Sequence, residues 1–389
     1  MPRAGAGRAG VSGAPPAFTR RRDAVVERLA LAPGVAAASG AVFLMGLGEE
    51  LWKRFVPRYL EALGAPVLAI GLYGTARDFL DGVYQYPGGW IADRWGRRRA
   101  LLLFVGVAAA GYVVYALASG WPAVFVGLAL VMAWSSMASP ALFAVVGDAL
   151  PRGRRTMGFT VQAILRRVPM AIAPALGGAL IAAHGVRGGV RVGLAITLLL
   201  AVLTLWTVSR VRVALPTAPA PASMREVWRA LPLPLRRLLG SDVLVRACEG
   251  LVDVFVVLWV MGVAGLGAAQ YGVLVGVQMI TSIVVYLPAA ALAGRIGRKP
   301  LVVATFLAFA LFPLAVVLAD GFAGLAAAFV VGGLRETGEP ARKALIVDLA
   351  APHLRARSVG LYYLARSLAV SPAALAGAFL WRVDPALPF

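Results

Sequence analysis

The sequence predicts an all-α polytopic membrane protein, and three observations lead to that prediction. Hydrophobic residues make up 60% of the 389 residues, whereas charged residues make up only 14%. The mean hydropathy is +0.81. Apolar runs of about 20 residues, long enough to cross a hydrocarbon core of about 30 Å, recur along the chain. Lipid offers no hydrogen-bond partner to an open backbone, so the predicted spans are helices.

The apolar runs predict eleven transmembrane helices. Residues 1–32 precede the first span and form a tail rich in Ala, Gly, Pro and Arg, which we expect to be cytoplasmic. The spans are predicted at 34–60, 66–92, 100–118, 121–149, 157–184, 190–209, 239–262, 268–293, 301–319, 322–349 and 358–381.

The positive charges lie in alternate loops, which predicts the orientation. The net charge is +20. Because most cations outside the spans lie in short loops on one side, we interpret this excess as a topological signal rather than as a nucleic-acid surface. The basic segments are the tail, 94–99, 152–155, 210–237, 295–299 and 355–357. The positive-inside rule therefore places the N-terminus and these loops in the cytoplasm. The protein is predicted to lie in the inner or plasma membrane of the cell.

The chain divides into two halves that repeat each other. A six-helix half at 33–209 is followed by a cytoplasmic linker at 210–238 and by a second half at 239–389. Residues recur at an offset of about 200, which is the sign of an internal duplication. The matched pairs include Glu49 with Glu249, Phe55 with Phe255, Asp148 with Asp348, Arg166 with Arg366, and Gly177 with Gly377.

One loop resembles the signature of a known family. The segment 89–98 reads GWIADRWGRR, and a degraded copy at 290–299 reads AALAGRIGRK. The first segment is similar to the loop between helices 2 and 3 of the major facilitator superfamily, and the copy occupies the equivalent place between helices 8 and 9. The resemblance implies two six-helix bundles related by a pseudo-twofold axis along the membrane normal.

The same resemblance implies a conformational latch in these loops. Asp93, at the cytoplasmic end of helix 2, is expected to face a helix N-terminus or a nearby arginine. Asp148, at the end of helix 4, is expected to pair with Arg94 or Arg97. In the second copy Gly294 replaces the aspartate, so a weaker latch is expected there. The predicted latch residues are Gly89, Asp93, Arg94, Gly96, Arg97, Arg98 and Asp148, and the second-copy residues are Arg295, Gly297, Arg298 and Asp348.

Ionisable residues inside the predicted spans indicate a polar cavity. An ionisable side chain at the bilayer centre costs at least about 2.5–3.5 kcal/mol, so such residues need partners or water. Several are spaced for pairing on one helix face, namely Glu49–Lys53, Glu50–Arg54, Arg77–Asp81, Arg335–Glu339, Arg246–Glu249 and Glu339–Arg342. Helices 3, 6 and 9 contain none, which matches the peripheral helices of the resembling family.

The candidates for the substrate and coupling cavity are the mid-span groups. Arginines suit a carboxylate or phosphate group of a substrate. Carboxylates that have no arginine partner are candidates to carry a coupling proton, and Glu249 and Glu336 are among them. The full set is Glu50, Arg77, Asp81, Arg166, Arg246, Glu249, Arg335, Glu336 and Glu339.

The function predicted from these features is secondary transport of a small solute by alternating access, driven by a proton or an ion. No Walker motif, zinc motif or catalytic set occurs in the sequence, so no enzyme, cofactor or metal is predicted. The arginines favour a polar anionic or zwitterionic solute, whereas the carboxylates favour export of an organic cation or drug. The alternatives to transport are a transporter-derived sensor and a non-functional truncated fragment. The expected partners are the solute and the lipid bilayer, and a monomer is predicted.

The repeat also raises an expectation about the C-terminus. At an offset of 200, helix 6 (190–209) would recur at about 390–409, whereas the sequence ends at Phe389. Eleven helices therefore predict a cytoplasmic N-terminus and a C-terminus outside. A C-terminal reporter found in the cytoplasm would contradict this topology.

Overall fold

The computed structural model describes residues 33–149, 155–210, 224–229, 231–349 and 355–389, and these are helical with short turns and no strand. The predicted cytoplasmic tail at 1–32 lies outside the described residues, as do residues 211–223 and 230 of the linker. The linker residues that are described include a short helix, α8 (Met224–Arg229).

The first half contains seven α-helices within the described residues. Trp121 and Pro122 begin α5, where proline fits because the first helical N–H groups need no internal partner. A π-helical turn at Ala133–Met137 separates α5 from α6. The elements are α1 (Pro33–Glu50), α2 (Val56–Ala62), α3 (Val67–Trp95), α4 (Arg97–Leu117), α5 (Trp121–Met132), α6 (Ala138–Ala149) and α7 (Arg155–Ser209).

The second half follows α8 and has the same order of long helices. Two prolines at equivalent places, Pro87 in α3 and Pro288 in α11, lie inside long helices, where each removes a backbone hydrogen bond. The elements are α9 (Leu233–Asp253), α10 (Val256–Leu258), α11 (Ala268–Ile296), α12 (Arg298–Leu318), α13 (Gly321–Leu334), α14 (Glu339–Leu349), α15 (Arg355–Val370) and α16 (Ala373–Val383).

Several predicted spans are interrupted or begin elsewhere. The spans predicted at 157–184 and 190–209 are the two helical arms of α7, which are separated at Gly185, where the backbone leaves the helical conformation with φ of 71° and ψ of 169°. The span predicted at 322–349 is broken by a turn at 335–338. The span predicted at 239–262 begins earlier, at Leu233, because Pro232 and Pro234 suit a helix start.

Six segments of the described residues are long and apolar enough to cross a membrane: Arg97–Leu117, Trp121–Leu142, Leu165–Ser209, Ala268–Val285, Lys299–Leu318 and Ser358–Val383. Other predicted spans, such as α1 with its continuation to Ala62 and α9, are shortened by turns or carry charged residues. The count of eleven spans therefore stays a prediction, whereas a polytopic helical architecture is what the structure shows.

The internal repeat is visible in three dimensions. Helices α3 and α11 have 29 residues each, and α4 and α12 have 21 residues each. Gly96 and Gly297 form the turns between these pairs with φ of 86° and 85°, a conformation that favours glycine. Gly177 packs on the backbone carbonyl of Leu51, and Gly377 packs on that of Leu251. The two copies thus reproduce one helix contact at an offset of 200.

The two halves meet along α7 and α11 and along α3 and α16. Glycines on these helices allow the backbones to come close. A Cβ atom on Gly276 would lie 2.9 Å from the carbonyl oxygen of Ala171, and a Cβ atom on Gly74 would lie 2.7 Å from Cβ of Ala374. The tightest of these contacts join the ends of the helices that are predicted to lie outside the cell.

Candidate functional site

A cavity of ≈ 200 Å³ lies between the two halves, and its wall is mostly charged. Helix α3 of the first half contributes three ionisable residues, and α9 and α15 of the second half contribute the others. The lining residues are Arg77, Asp78, Asp81, Arg246, Glu249, Gly250, Asp253, Arg366, Ser367 and Val370. Four of the predicted site residues, Arg77, Asp81, Arg246 and Glu249, therefore share one cavity.

Arg77 joins the two halves across this cavity. Its Nη2 atom lies 2.9 Å from Oδ2 of Asp253 in the second half and 3.0 Å from Oδ1 of Asp78 on its own helix. The predicted pair between Arg77 and Asp81 is not formed. Asp81 instead accepts a hydrogen bond of 2.6 Å from Ser136 Oγ. Because the partner in the other half lies closer, the arginine turns away from its i,i+4 neighbour.

A chain of ion pairs runs along the second half. Arg246 Nη1 lies 2.7 Å from Glu249 Oε2, and Arg246 Nη2 lies 3.3 Å from Glu339 Oε2. Arg335 Nη1 lies 3.4 Å from Glu249 Oε1. The rings of Phe309 and Phe312 lie against the Arg335 guanidinium, at 5.1 Å and 4.4 Å. Four predicted site residues thus form one network supported by aromatic faces.

The predicted pairing of Arg335 with Glu339 as i,i+4 neighbours of one helix is wrong. The turn at 335–338 ends α13 before Glu339 begins α14, so the two residues do not share a helix face. Arg335 is instead oriented by Glu249 and by its own hydrogen bond of 3.0 Å to Gly332 O.

Behind the cavity lies a buried cluster in which the predicted Glu339–Arg342 pair is formed and is joined by Asp242, a residue that was not among the predicted site residues. Arg342 and Asp242 form an ion pair with both side chains almost fully buried, and Arg342 Nη2 also lies 2.7 Å from Glu339 Oε1. Tyr362 donates a hydrogen bond of 3.1 Å to Asp242. The available signal was an aspartate in an apolar helix, four residues before Arg246.

A second bridge between the halves involves Glu336. Its Oε2 atom lies 3.0 Å from Nη2 of Arg167, which belongs to α7 of the first half. Arg166, the neighbouring residue that the sequence analysis selected, has an exposed side chain with no ion pair to any described residue. The difference follows from helix geometry, because adjacent residues on a helix point about 100° apart.

Glu49, Glu50 and Asp81 are carboxylates whose contacts lie within the first half. Glu50 is buried and lies 3.3 Å from Arg54 Nε, as predicted. Glu49 is also buried and accepts a hydrogen bond of 2.7 Å from Tyr112 and weaker ones from Ser135, while Lys53 lies 3.7 Å away. Glu49 and Asp81 have no ion pair with an arginine among the described residues.

These contacts reverse one interpretation of the sequence. Glu249 and Glu336 were expected to be carboxylates without a committed arginine, but Glu249 pairs with Arg246 and Arg335, and Glu336 pairs with Arg167. The partners come from other turns and other helices, which sequence spacing does not reveal.

The signature loops are described only in part. Arg94 is exposed and stacks over the Trp90 ring at 5.3 Å, and the Gly96 turn connects α3 with α4. The side chains of Asp93, Asp148 and Arg298 lie outside the description, so the latch stays a prediction. Among the described residues, no group of three or more His, Cys, Asp or Glu side chains is arranged to hold a metal ion.

The sequence and the fold both match known transporters. A family model described as Major Facilitator Superfamily matches residues 38–264 and 238–383. An uncharacterized MFS-type transporter of Methanocaldococcus jannaschii is 20% identical over 370 residues, covering 89% of this chain and 88% of the relative.

Two solved structures illustrate the similarity of the fold. The nucleoside transporter NupG is 13% identical with a TM-score of 0.73, covering 90% of this chain and 91% of NupG. A POT family transporter in complex with 5-aminolevulinic acid is 15% identical with a TM-score of 0.72, covering 91% of each chain. At these identities the likeness concerns the fold alone.

Proposed function

The chain belongs to the Major Facilitator Superfamily, and from that premise we propose that it carries a small polar solute across a cell membrane by alternating access. Membership of this family makes it a multi-pass membrane transporter of a solute rather than an enzyme. The observation that carries the proposal is the charged cavity of ≈ 200 Å³, because residues of both repeated halves line it.

The packing of the halves supports alternating access. Close contacts, such as that of Gly71 with the Ala374 carbonyl, join the helix ends that are predicted to face outside. Within the described part of the chain, two ion pairs cross between the halves, Arg77–Asp253 and Arg167–Glu336. Ion pairs and glycine contacts can break and re-form as two rigid bundles rock.

The size of the cavity favours a small solute over a drug-sized one. Pockets for drug-sized ligands typically measure about 300–1,000 Å³. Charged groups supply most of the lining, so a polar solute would replace water at lower cost than an apolar solute. The POT transporter bound to 5-aminolevulinic acid shows that a related fold accommodates such a molecule.

We further propose that Glu49 carries the coupling proton. It is buried, its nearest partners are hydroxyl groups, and its single cationic neighbour among the described residues is Lys53 at 3.7 Å. Protonation of a carboxylate breaks an ion pair with arginine, whereas hydroxyl groups remain hydrogen-bond partners of both forms because a hydroxyl both donates and accepts. This assignment replaces Glu249 and Glu336, which are committed to arginines.

The transport proposal is tested on the full chain in lipid vesicles. A thermal-shift screen of the purified protein against metabolites and drugs first identifies a stabilising solute. Vesicles loaded with that solute should then take up its radiolabelled form by counterflow, and protein-free vesicles should not. Binding without counterflow would contradict transport and would indicate a sensor.

The coupling proposal has its own test. Glu49→Gln keeps the shape of the side chain but cannot ionise, so it should abolish accumulation driven by a pH gradient while leaving counterflow intact. Glu61→Gln, at a half-exposed carboxylate outside the cavity, is the control and should retain pH-driven accumulation. Equal pH-driven accumulation by wild type and Glu49→Gln would contradict the assignment.

A further inference from the structure

Two charged residues of the cavity wall are left with spare binding capacity. Most charges there neutralise each other, as in the pairs Arg77–Asp253 and Arg246–Glu249. Asp81 and Arg366 differ, because Asp81 has no ion pair with any described residue and Arg366 has only a long one, of 3.6 Å, with Asp242. Asp81 belongs to the first half and Arg366 to the second.

The Asp81 carboxylate has a neutral hydrogen-bond partner, the hydroxyl group of Ser136. Ser136 Oγ donates to Oδ1 at 2.6 Å, and no cation of the described residues forms an ion pair with Asp81. A carboxylate accepts several hydrogen bonds, and one hydroxyl donor leaves the other oxygen available. The available oxygen belongs to a residue of the cavity wall.

Arg366 presents a guanidinium that is only loosely held. Its Nη1 atom lies 3.6 Å from Asp242 Oδ2, but that carboxylate already pairs with Arg342 and accepts a hydrogen bond from Tyr362. The Tyr363 ring lies 4.8 Å from the guanidinium carbon and supports one side of it. Arginine has five N–H donors in a fork that matches a carboxylate, so most of its donors stay available to a ligand.

The two residues flank a contact between the halves. A Cβ atom on Gly82, the residue after Asp81, would lie 2.7 Å from Cβ of Ser367, the residue after Arg366. Helices α3 and α15 therefore touch where these residues occur, and both residues line the same cavity of ≈ 200 Å³. A ligand with two opposite charges would reach one residue in each half.

We propose that the transported solute is a small zwitterion, an amino carboxylate, with its ammonium group at Asp81 and its carboxylate at Arg366. This inference rests on the proposed transport function and specifies its substrate class. The ammonium pairs with the spare Asp81 oxygen, and the carboxylate accepts hydrogen bonds from the Arg366 fork. Since the two charged ends are held by opposite halves, the bound solute itself bridges the interface that must rearrange during transport.

The test uses a series of amino acids in which only the charge separation changes. Glycine, β-alanine, γ-aminobutyrate and 5-aminovalerate are titrated against the purified full chain, with the thermal midpoint and calorimetric binding as readouts. We expect one length to bind best. Its methyl ester and its N-acetyl derivative should each bind at least about tenfold more weakly, because each removes one charge-assisted contact.

Two variants assign the two ends of the ligand. With Asp81→Asn, the amino acid and its N-acetyl derivative should bind equally well, whereas the methyl ester should still bind more weakly than the amino acid. With Arg366→Gln, the amino acid and its methyl ester should bind equally well, whereas the N-acetyl derivative should still bind more weakly. Asp81→Glu and Arg366→Lys retain the charges and are the matched controls, and each should preserve both discriminations. Because the ligand series also works on the wild-type chain, a variant that fails to fold does not remove the test.

The outcomes separate this inference from the transport proposal. Equal binding of ester and amino acid would indicate an organic cation and overturn the inference, as would binding by none of the four amino acids. Counterflow of some other solute would then still support transport. Conversely, a zwitterion that binds with both discriminations but shows no counterflow would support the site and contradict transport.

Discussion

At the residue scale, the stability of the second half depends on its buried charges. Arg342 lies between two carboxylates, Asp242 and Glu339, and all three side chains are nearly inaccessible. Burying a charge is costly unless a partner of opposite sign compensates for it, so the three residues depend on one another. Arg246 extends this arrangement to the cavity through its contact with Glu339.

Removing the arginine should therefore be costly. Arg342→Met leaves two buried carboxylates without their shared cation, and we expect the free energy of unfolding to fall by about 3–5 kcal/mol. The measurement is the thermal or denaturant midpoint of the purified protein in detergent. The matched control is Arg58→Met, which removes a partly exposed pair with Glu61 and should cost about 0–1 kcal/mol. Equal losses in the two variants would contradict a structural role of the buried cluster.

At the element scale, glycines set the distance between helices. Gly177 of α7 lies on the Leu51 carbonyl, and Gly377 of α16 lies on the Leu251 carbonyl. In lipid, no hydrophobic force draws one apolar helix to another, so close backbone contact supplies much of the attraction between them. The same contact occurs once in each half because the two halves are copies.

A methyl group at either position should disturb this packing. Gly177→Ala and Gly377→Ala place a Cβ atom against a backbone carbonyl that has no rotamer to change, and we expect a loss of about 1–3 kcal/mol in each. The measurement is again the thermal midpoint in detergent. Gly106→Ala is the control, because a Cβ atom there meets nothing within 4 Å and should cost no stability. Similar midpoints for all three variants would show that the contact is looser than described.

At the scale of the whole molecule, the two halves are joined by contacts of two kinds. Glycine-mediated backbone contacts hold one end together, and the ion pairs Arg77–Asp253 and Arg167–Glu336 cross nearer the cavity. The ion pairs can be tested independently of the substrate, because charge reversal acts on the interface itself.

For the Arg167–Glu336 pair, Arg167→Glu sets two like charges against each other across the interface and should lower the thermal midpoint. Adding Glu336→Arg should restore it. The double-mutant cycle is expected to give an interaction energy of about 0.5–3 kcal/mol. The same cycle with Arg166, which is exposed beside Arg167, should give additive effects. Additivity in the Arg167 cycle would show that the bridge does not hold the halves together.

The sequence by itself determined the helical membrane class, the two repeated halves and the presence of a charged interface. These follow from hydropathy, from matches near an offset of 200 and from the cost of charge in lipid, all of which are properties of the linear chain. Pairs within one unbroken helix turn, such as Glu50–Arg54 and Arg246–Glu249, were also predictable, because helical spacing fixes such neighbours.

Only the tertiary structure decided which charges pair between helices. Arg77 pairs with Asp253 rather than with Asp81. Glu336 pairs with Arg167 rather than with Arg166, the residue that precedes Arg167. The physical reason is that helix rotation and helix crossing place side chains from distant parts of the chain within 3–4 Å, and sequence spacing carries no record of either. The spare charges of Asp81 and Arg366, on which the proposed substrate class depends, became visible only after those pairs were assigned.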